Sequence, residues 1–61
     1  MTNTRHYYFV KGDHTVEFIQ QGYKITKVHS GADGQISREI VTDTIINQVA
    51  QLVKAGWEKV N

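Results

Sequence analysis

The segment that decides the fold is YYFVKGDHTVEF, residues 7–18, in which two strand-like halves flank Gly12-Asp13. Both halves are rich in aromatic and β-branched residues, as is typical of half-buried strands. A two-residue type II′ turn needs a positive φ at its first central position, which glycine supplies. A hairpin centred on this turn pairs Phe9 with Val16 and therefore gives the sheet one apolar side.

Two further turn signals extend the hairpin into an up-and-down meander. Gln21-Gly22 is the second predicted turn, and residues 31–34 form a four-residue third loop. These turns pair Phe18 with Ile25, and Ile25 with Ile40, so that their apolar members share one side of the sheet. The predicted strands are residues 5–11, 14–20, 23–29 and 35–41.

After the fourth strand, the apolar period changes to that of an amphipathic helix of about four turns. Thr42 is the predicted N-cap, because a threonine hydroxyl can accept a hydrogen bond from the first helical turn. Gly56 suits the position that follows the helix, with Trp57 packing back on Leu52. The tail, residues 58–61, is either a last fragment of strand or a loose end, and a loose end is the favoured prediction. The helical apolar stripe is Ile45, Ile46, Val49, Leu52 and Val53.

These elements predict an α+β fold: a four-stranded antiparallel meander (ββββα) with one C-terminal amphipathic helix packed on one face. Residues 1–61 are expected to form a single small domain, frayed over residues 1–4. The predicted core consists of Tyr7, Phe9, Val16, Phe18, Ile25, Ile40, Ile46, Val49, Leu52, Val53 and Trp57.

Composition excludes several function classes. The absence of cysteine removes disulfides, thiolate metal sites and thiol nucleophiles, and no cofactor is predicted. The longest apolar run, residues 7–10, is too short to cross a membrane, and residues 1–5 lack the apolar core of a signal peptide, so a cytoplasmic protein is expected. A domain of 61 residues buries only about 60% of the surface that its unfolded chain exposes, and we expect it to gain stability from a partner chain.

The side of the sheet away from the helix is unusually apolar for an antiparallel sheet. We expect this side to bind a second copy or another protein, although strand propensity alone could also explain its β-branched residues. The predicted residues of this side are His6, Tyr8, Val10, Thr15, Glu17, Ile19, Lys24, Thr26, Val28, Ser37, Glu39 and Val41.

The first functional hypothesis is a small non-enzymatic interaction protein, of the regulator or inhibitor type, that forms a homodimer or binds a protein partner. No position combines a nucleophile, a base and a positioning group, so an enzyme is not expected. The predicted partner-binding residues are Tyr8, Val10, Glu17, Ile19, Lys24, Thr26 and Val28.

The alternative hypothesis is a nucleic-acid-binding module that uses the antiparallel sheet. The net charge of +1 and the acidic residues on the same side argue against it. The predicted register places Lys27 opposite Arg38, near His29, which is an unfavourable cationic pair unless an acidic partner relieves it or a bulge shifts the strand. Candidate contacts are Arg5, His6, Tyr8, Lys24, Thr26 and Lys27.

The histidines His6, His14 and His29 are the candidate metal ligands of a chain without cysteine. His6 is predicted on the side away from the helix, whereas His14 and His29 are predicted near turns on the helix side. No two histidines have the helical spacing of a zinc motif. We expect three isolated surface histidines and no metal site.

Overall fold

The computed structural model describes residues 3–60, which form an antiparallel sheet and one helix. The strand order is β4-β3-β2-β1-β5, and every neighbouring pair is antiparallel. This arrangement confirms the α+β class and adds a strand to the predicted four. The elements are β1 (Thr4–Lys11), β2 (His14–Gln21), β3 (Lys24–Ser30), β4 (Ile36–Val41), α1 (Ile45–Lys54) and β5 (Glu58–Val60).

The β1–β2 hairpin has the predicted register, in which Phe9 pairs with Val16 and Tyr7 with Phe18. Gly12 has a φ of 59°, the left-handed value that the tight turn requires and that glycine adopts without steric cost. Strand β1 begins at Thr4, inside the segment predicted to be frayed, while residues 1 and 2 lie outside the described part of the chain.

The β2–β3 turn lies one residue later than predicted, at Gly22-Tyr23, and Gly22 has a φ of 62°. Phe18 therefore pairs with Lys27, and its predicted pairing with Ile25 is wrong. Moving the centre of the turn by one residue changes the register by two residues. Because side chains alternate with period two, the predicted facing of both strands survives.

The β3–β4 loop has five residues, 31–35, rather than four, and no bulge interrupts the ladder described for this pair. The Gly31 N–H donates to the Gln35 carbonyl at 2.8 Å, and the Gln35 N–H donates to the Asp33 carboxylate at 3.1 Å. This extra residue shifts the register by one, so that Ile25 pairs with Val41 instead of the predicted Ile40. A shift of one residue turns the whole strand over.

The reversal of β4 corrects three predicted placements. Ser37, Glu39 and Val41 lie on the helix side, not on the opposite side. Lys27 faces Glu39 at 3.9 Å, so the predicted cationic pair of Lys27 with Arg38 does not form. An attractive cross-strand pair thereby replaces a repulsive one, which favours the observed register.

Helix α1 begins two residues later than predicted, with Thr44 rather than Thr42 as its N-cap. The Thr44 hydroxyl accepts a hydrogen bond from the Asn47 N–H at 3.2 Å, which satisfies one of the free donors of the first turn. The Asp43 carboxylate accepts from the Thr44 N–H at 2.8 Å and from the Asn47 amide at 3.0 Å. The hydrogen bond from the Asn47 side chain, and to a smaller extent the one from the Thr44 N–H, lowers the pKa of Asp43. The helix spans ten residues.

The C-terminal end of α1 is the predicted Schellman arrangement. Gly56 has a φ of 96°, and its N–H donates to the Val53 carbonyl at 3.1 Å. The Trp57 N–H donates to the Leu52 carbonyl at 2.9 Å, as the motif requires. Lys11 also donates to the Ala55 carbonyl at 2.6 Å and ties the helix end to β1.

The predicted loose end is instead strand β5, which pairs with β1 and places Val60 opposite Tyr8. The Schellman turn sends the chain back along the open edge of β1, whose unpaired backbone groups then find partners.

The core lies between the sheet and α1. Among residues 3–60, the fully buried hydrophobic side chains are Phe9, Val16, Phe18 and Ile25, and the two phenylalanine rings meet edge to face at 6.1 Å. Three predicted core residues are exposed, namely Ile40, Ile46 and Val53. Ile40 leaves the core because β4 is reversed, whereas Ile46 and Val53 lie on the flank of the helix. Around the core pack the half-buried Tyr7, Val41, Ile45, Val49, Leu52 and Trp57.

Candidate functional site

The broadest uncovered surface of the described chain is the side of the sheet opposite α1, here called the far face. Its register rows run across all five strands, for example from Arg38 in β4 through Val28, Glu17 and Tyr8 to Val60 in β5. No element of residues 3–60 packs on it. The far face comprises Thr4, His6, Tyr8, Val10, Thr15, Glu17, Ile19, Gln21, Lys24, Thr26, Val28, Ser30, Ile36, Arg38, Ile40, Glu58 and Val60.

All seven predicted partner-binding residues lie on the far face, and most of them are contiguous. Glu17 lies between Tyr8 and Val28 in one row, and Ile19 lies beside Thr26 in the next. Lys24 is at the end of β3, away from the centre. The structure therefore places these residues together, while their role in binding stays a prediction.

Sequence reasoning missed Ile36, Ile40 and Val60, which extend the apolar area to both sheet edges. Ile36 and Ile40 are 63% and 58% exposed, and Val60 is 41% exposed. The repulsive pairing of Lys27 with Arg38 was the available signal, because relieving it by one residue brings both isoleucines to this face. For Val60 the signal was weaker, since three residues after a helix do not specify a strand.

A hydrogen-bonded group occupies the centre of the far face. The His6 Nδ1 and Glu17 Oε2 atoms are 2.8 Å apart, and the rings of His6 and Tyr8 stack with centroids 6.3 Å apart. A hydrogen bond to the Glu17 carboxylate raises the pKa of Tyr8 above its ordinary value of 10.0, with desolvation and the charge of Glu17 as smaller causes. The Glu17 carboxylate thus has His6 as its hydrogen-bond partner and lies beside Tyr8 within the chain.

Opposite charges lie at the two edges of the far face. Arg38 is on the edge strand β4, and Glu58 is on the edge strand β5. Neither side chain forms an ion pair with another residue in the described range 3–60. Each is therefore available to an oppositely charged group from outside the chain.

A second candidate site is on the helix side, where His14 and His29 converge. The His14 Nδ1 and His29 Nε2 atoms are 3.3 Å apart, and His29 contacts the Trp57 ring edge to face at 6.1 Å. The prediction of isolated histidines is wrong for this pair. Both line an open pocket of about 560 Å³ together with Gly31, Ala32, Asp33, Gln35, Ile36 and Ser37.

The sequence did contain a signal for this pair. The predicted pairing of Phe18 with Ile25, extended four residues toward the strand ends, already places His14 opposite His29. In the structure the two residues are diagonal neighbours, because Val16 pairs with His29. Both registers bring the imidazoles to the same end of the same face.

Larger metal clusters and membrane spans are not found in the described residues. No group of three or more His, Asp or Glu side chains within residues 3–60 is arranged to hold a metal ion. No helix in that range is long and apolar enough to cross a membrane.

A third surface is the flank of the helix, where an apolar groove of about 420 Å³ runs beside β1. It contains the two residues that were wrongly assigned to the core, Ile46 and Val53. None of the side chains that line the groove is charged. Its walls are Tyr7, Ile45, Ile46, Val49, Ala50 and Val53.

No family model matches the chain, and neither a curated protein nor a solved structure matches it. The functional argument therefore rests on the geometry of these surfaces.

Proposed function

We propose that this chain is a small non-enzymatic interaction module whose far face binds a second copy of the same chain. The observation that carries the proposal is that each of the five strands of an uncovered sheet contributes at least one apolar side chain to the far face. An antiparallel sheet normally keeps such a face polar. Contiguous exposed apolar areas of this kind mark protein interfaces.

The size of the face suits a weak dimer. Five strands about 4.8 Å apart give a width of about 19 Å, and strands of three to eight residues give lengths of about 10–27 Å. Such an area falls in the small class of interfaces, which form transient complexes. The four fully buried side chains make a small core, so burying the far face would add stability that the monomer lacks.

The centre of the face is compatible with burial. An unpaired carboxylate there would strongly oppose docking, since its desolvation would not be compensated. Glu17 is already bonded to His6 and faces Tyr8, so its charge enters the interface with partners. Tyrosine is also one of the residue types that are enriched among the strongest contributors to interface affinity.

The edge charges select one relative orientation of the two copies. A two-fold axis parallel to the strands lays β4 of each copy over β5 of the other, which brings Arg38 toward Glu58 of the second copy. A two-fold axis across the strands would instead bring like charges together. Opposite potentials favour the first arrangement.

Sedimentation equilibrium of the untagged chain tests the proposal, over a concentration range from about 10 μM to several hundred μM that covers weak association. We expect a reversible monomer–dimer equilibrium that is lost in a variant carrying Tyr8→Ser and Ile19→Ser. Tyr23→Ser is the matched control, because Tyr23 is fully exposed at the β2–β3 turn. A chain that is monomeric throughout this range contradicts the proposal.

A charge exchange tests the orientation. Arg38→Glu and Glu58→Arg should each prevent dimerisation, because each creates two like-charge contacts. An equimolar mixture of the two variants restores both contacts with opposite charges and should dimerise. If both variants dimerise alone as the unchanged chain does, the face-to-face arrangement with β4 over β5 of the second copy is wrong.

The nucleic-acid alternative has less support. Its six candidate contacts are divided between the two sides of the sheet: Arg5 and Lys27 lie on the helix side, and Lys27 faces Glu39. Retention on DNA or RNA that falls steeply with salt would favour this alternative over the interaction module.

A further inference from the structure

We propose that His14 and His29 form a two-histidine binding site for a divalent late first-row transition ion such as Zn²⁺, Ni²⁺ or Cu²⁺. The site is on the helix side of the sheet and is independent of the far face. Imidazole nitrogen is a preferred ligand of these ions, whereas Mg²⁺ and Ca²⁺ prefer oxygen.

The distance between the two ring nitrogens fits a chelate. Zinc–nitrogen bonds of about 2.0–2.1 Å at a tetrahedral angle place two ligating nitrogens about 3.3–3.4 Å apart. The His14 Nδ1 and His29 Nε2 atoms are 3.3 Å apart. An ion bound to both nitrogens would therefore leave their separation unchanged.

The contact between His14 and His29 is a weak hydrogen bond, so little stabilisation is lost when an ion replaces it. Its length of 3.3 Å exceeds the usual 2.9–3.0 Å of N–H donors. One of the two nitrogens carries the shared hydrogen. Binding requires that this ring adopt its other neutral tautomer, with the hydrogen on its remaining nitrogen.

The surroundings hold the pair and admit an ion. His29 is half-buried in β3 against the Trp57 ring, and His14 begins β2, so both ligands belong to the rigid sheet. The pocket in front of them is open to solvent. The Asp33 carboxylate lines the same pocket but is bonded to the Gln35 N–H. Two coordination positions are left for water or another exchangeable ligand.

The position of Trp57 provides a specific readout. It is the single tryptophan of the chain, and its ring is 6.1 Å from that of His29. Cu²⁺ bound at the pair should quench the Trp57 fluorescence saturably, and Zn²⁺ should compete for the same site. Calorimetric titration of the untagged chain with Zn²⁺ measures the stoichiometry independently, and we expect one ion per chain.

Three single variants decide the assignment. Removing a second-shell partner alone costs roughly 10–100-fold in metal affinity, so His14→Gln and His29→Gln should each cost at least about tenfold. His6→Gln is the matched control, since His6 lies on the far face, and it should bind as the unchanged chain does. Circular dichroism establishes that each variant is folded.

The absence of saturable Zn²⁺ binding by the unchanged, folded chain overturns the proposal. Binding that survives both His14→Gln and His29→Gln, or that is lost equally in His6→Gln, overturns it as well. Because the pair lies away from the far face, none of these outcomes changes the expected dimerisation.

Discussion

The two faces of the sheet are made by the same strands but have opposite environments. On the helix side, α1 covers the centre of the sheet and encloses Phe9, Val16, Phe18 and Ile25. On the far face, apolar side chains are as frequent, yet none is fully buried within residues 3–60. Coverage, rather than composition, therefore decides how much an apolar residue contributes to the stability of this fold.

Neighbouring positions in one strand show the difference most directly. Phe18 and Ile19 follow each other in β2 and point to opposite faces. Phe18 is fully buried, whereas Ile19 is half-buried between its cross-strand neighbours. Substitutions at these two positions separate the stability that comes from coverage by α1 from the stability that comes from packing within the sheet itself.

The largest expected effect is that of Phe18→Ala, which removes a ring from the edge-to-face contact with Phe9. Truncating a buried phenylalanine costs about 3–5 kcal/mol. Ile19→Ala should cost only about 1 kcal/mol, because its side chain is not fully buried in the monomer. Urea unfolding, followed by circular dichroism at low protein concentration, measures both losses.

Phe18→Leu keeps the comparison measurable if Phe18→Ala does not fold, because leucine retains much of the buried volume. If Phe18→Ala folds and loses no more stability than Ile19→Ala, the helix does not protect its side of the sheet more than the far face is protected. At high concentration, the proposed dimer should increase the loss caused by Ile19→Ala.

The next largest effect concerns helix α1, which covers one side of the sheet. Thr44→Ala removes the hydroxyl that accepts from the Asn47 N–H, and the loss of an N-cap costs about 1 kcal/mol. Thr42→Ala is the matched control, because Thr42 is exposed and lies outside the helix. Urea unfolding should give a clear loss for the first variant and almost none for the second. The reverse order would place the cap at Thr42.

Sequence patterns predicted the covered face better than the boundaries of the uncovered one. The β1–β2 register followed from a short glycine turn, because a two-residue loop leaves little choice of pairing. The C-terminal cap followed from Gly56, since a left-handed residue there has a glycine signature. Both features depend on local backbone geometry that a few residues specify.

The failures arose where one residue of loop length decides the outcome. The residue pattern before β4 fits a four-residue loop as well as the five-residue loop of the structure. It does not reveal the hydrogen bond from the Gln35 N–H to Asp33, which makes Gln35 part of the loop. Because of that single residue, Ile40 lies on the far face, where Val41 had been predicted. Strand β5 was missed because its pairing depends on the open edge of β1, which is distant in the chain. The convergence of His14 and His29 was missed although the predicted register implied it.

The smallest expected effect concerns the centre of the far face and is a shift of one titration. Glu17→Gln replaces the charged carboxylate that favours the protonated Tyr8 phenol with a neutral amide, which is a weaker acceptor, so the pKa of Tyr8 should fall toward its ordinary value of 10.0. Because the folded pKa is raised, the associated stability is present below pH 10.0 and is lost as the pH rises through the folded value. NMR titration of the Tyr8 ring measures the shift.

Glu39→Gln is the control for this titration, because Glu39 faces Lys27 on the helix side and should leave Tyr8 unchanged. A Tyr8 titration that is the same with and without the Glu17 carboxylate would show that the central acid lacks this partner. Docking of a second copy would then have to desolvate a less fully bonded carboxylate, which is costly. The titration therefore tests, in the monomer, whether the Glu17 carboxylate has the partner within the chain that would allow the far face to be buried. The opposite face needs no such partner, because the helix already covers it.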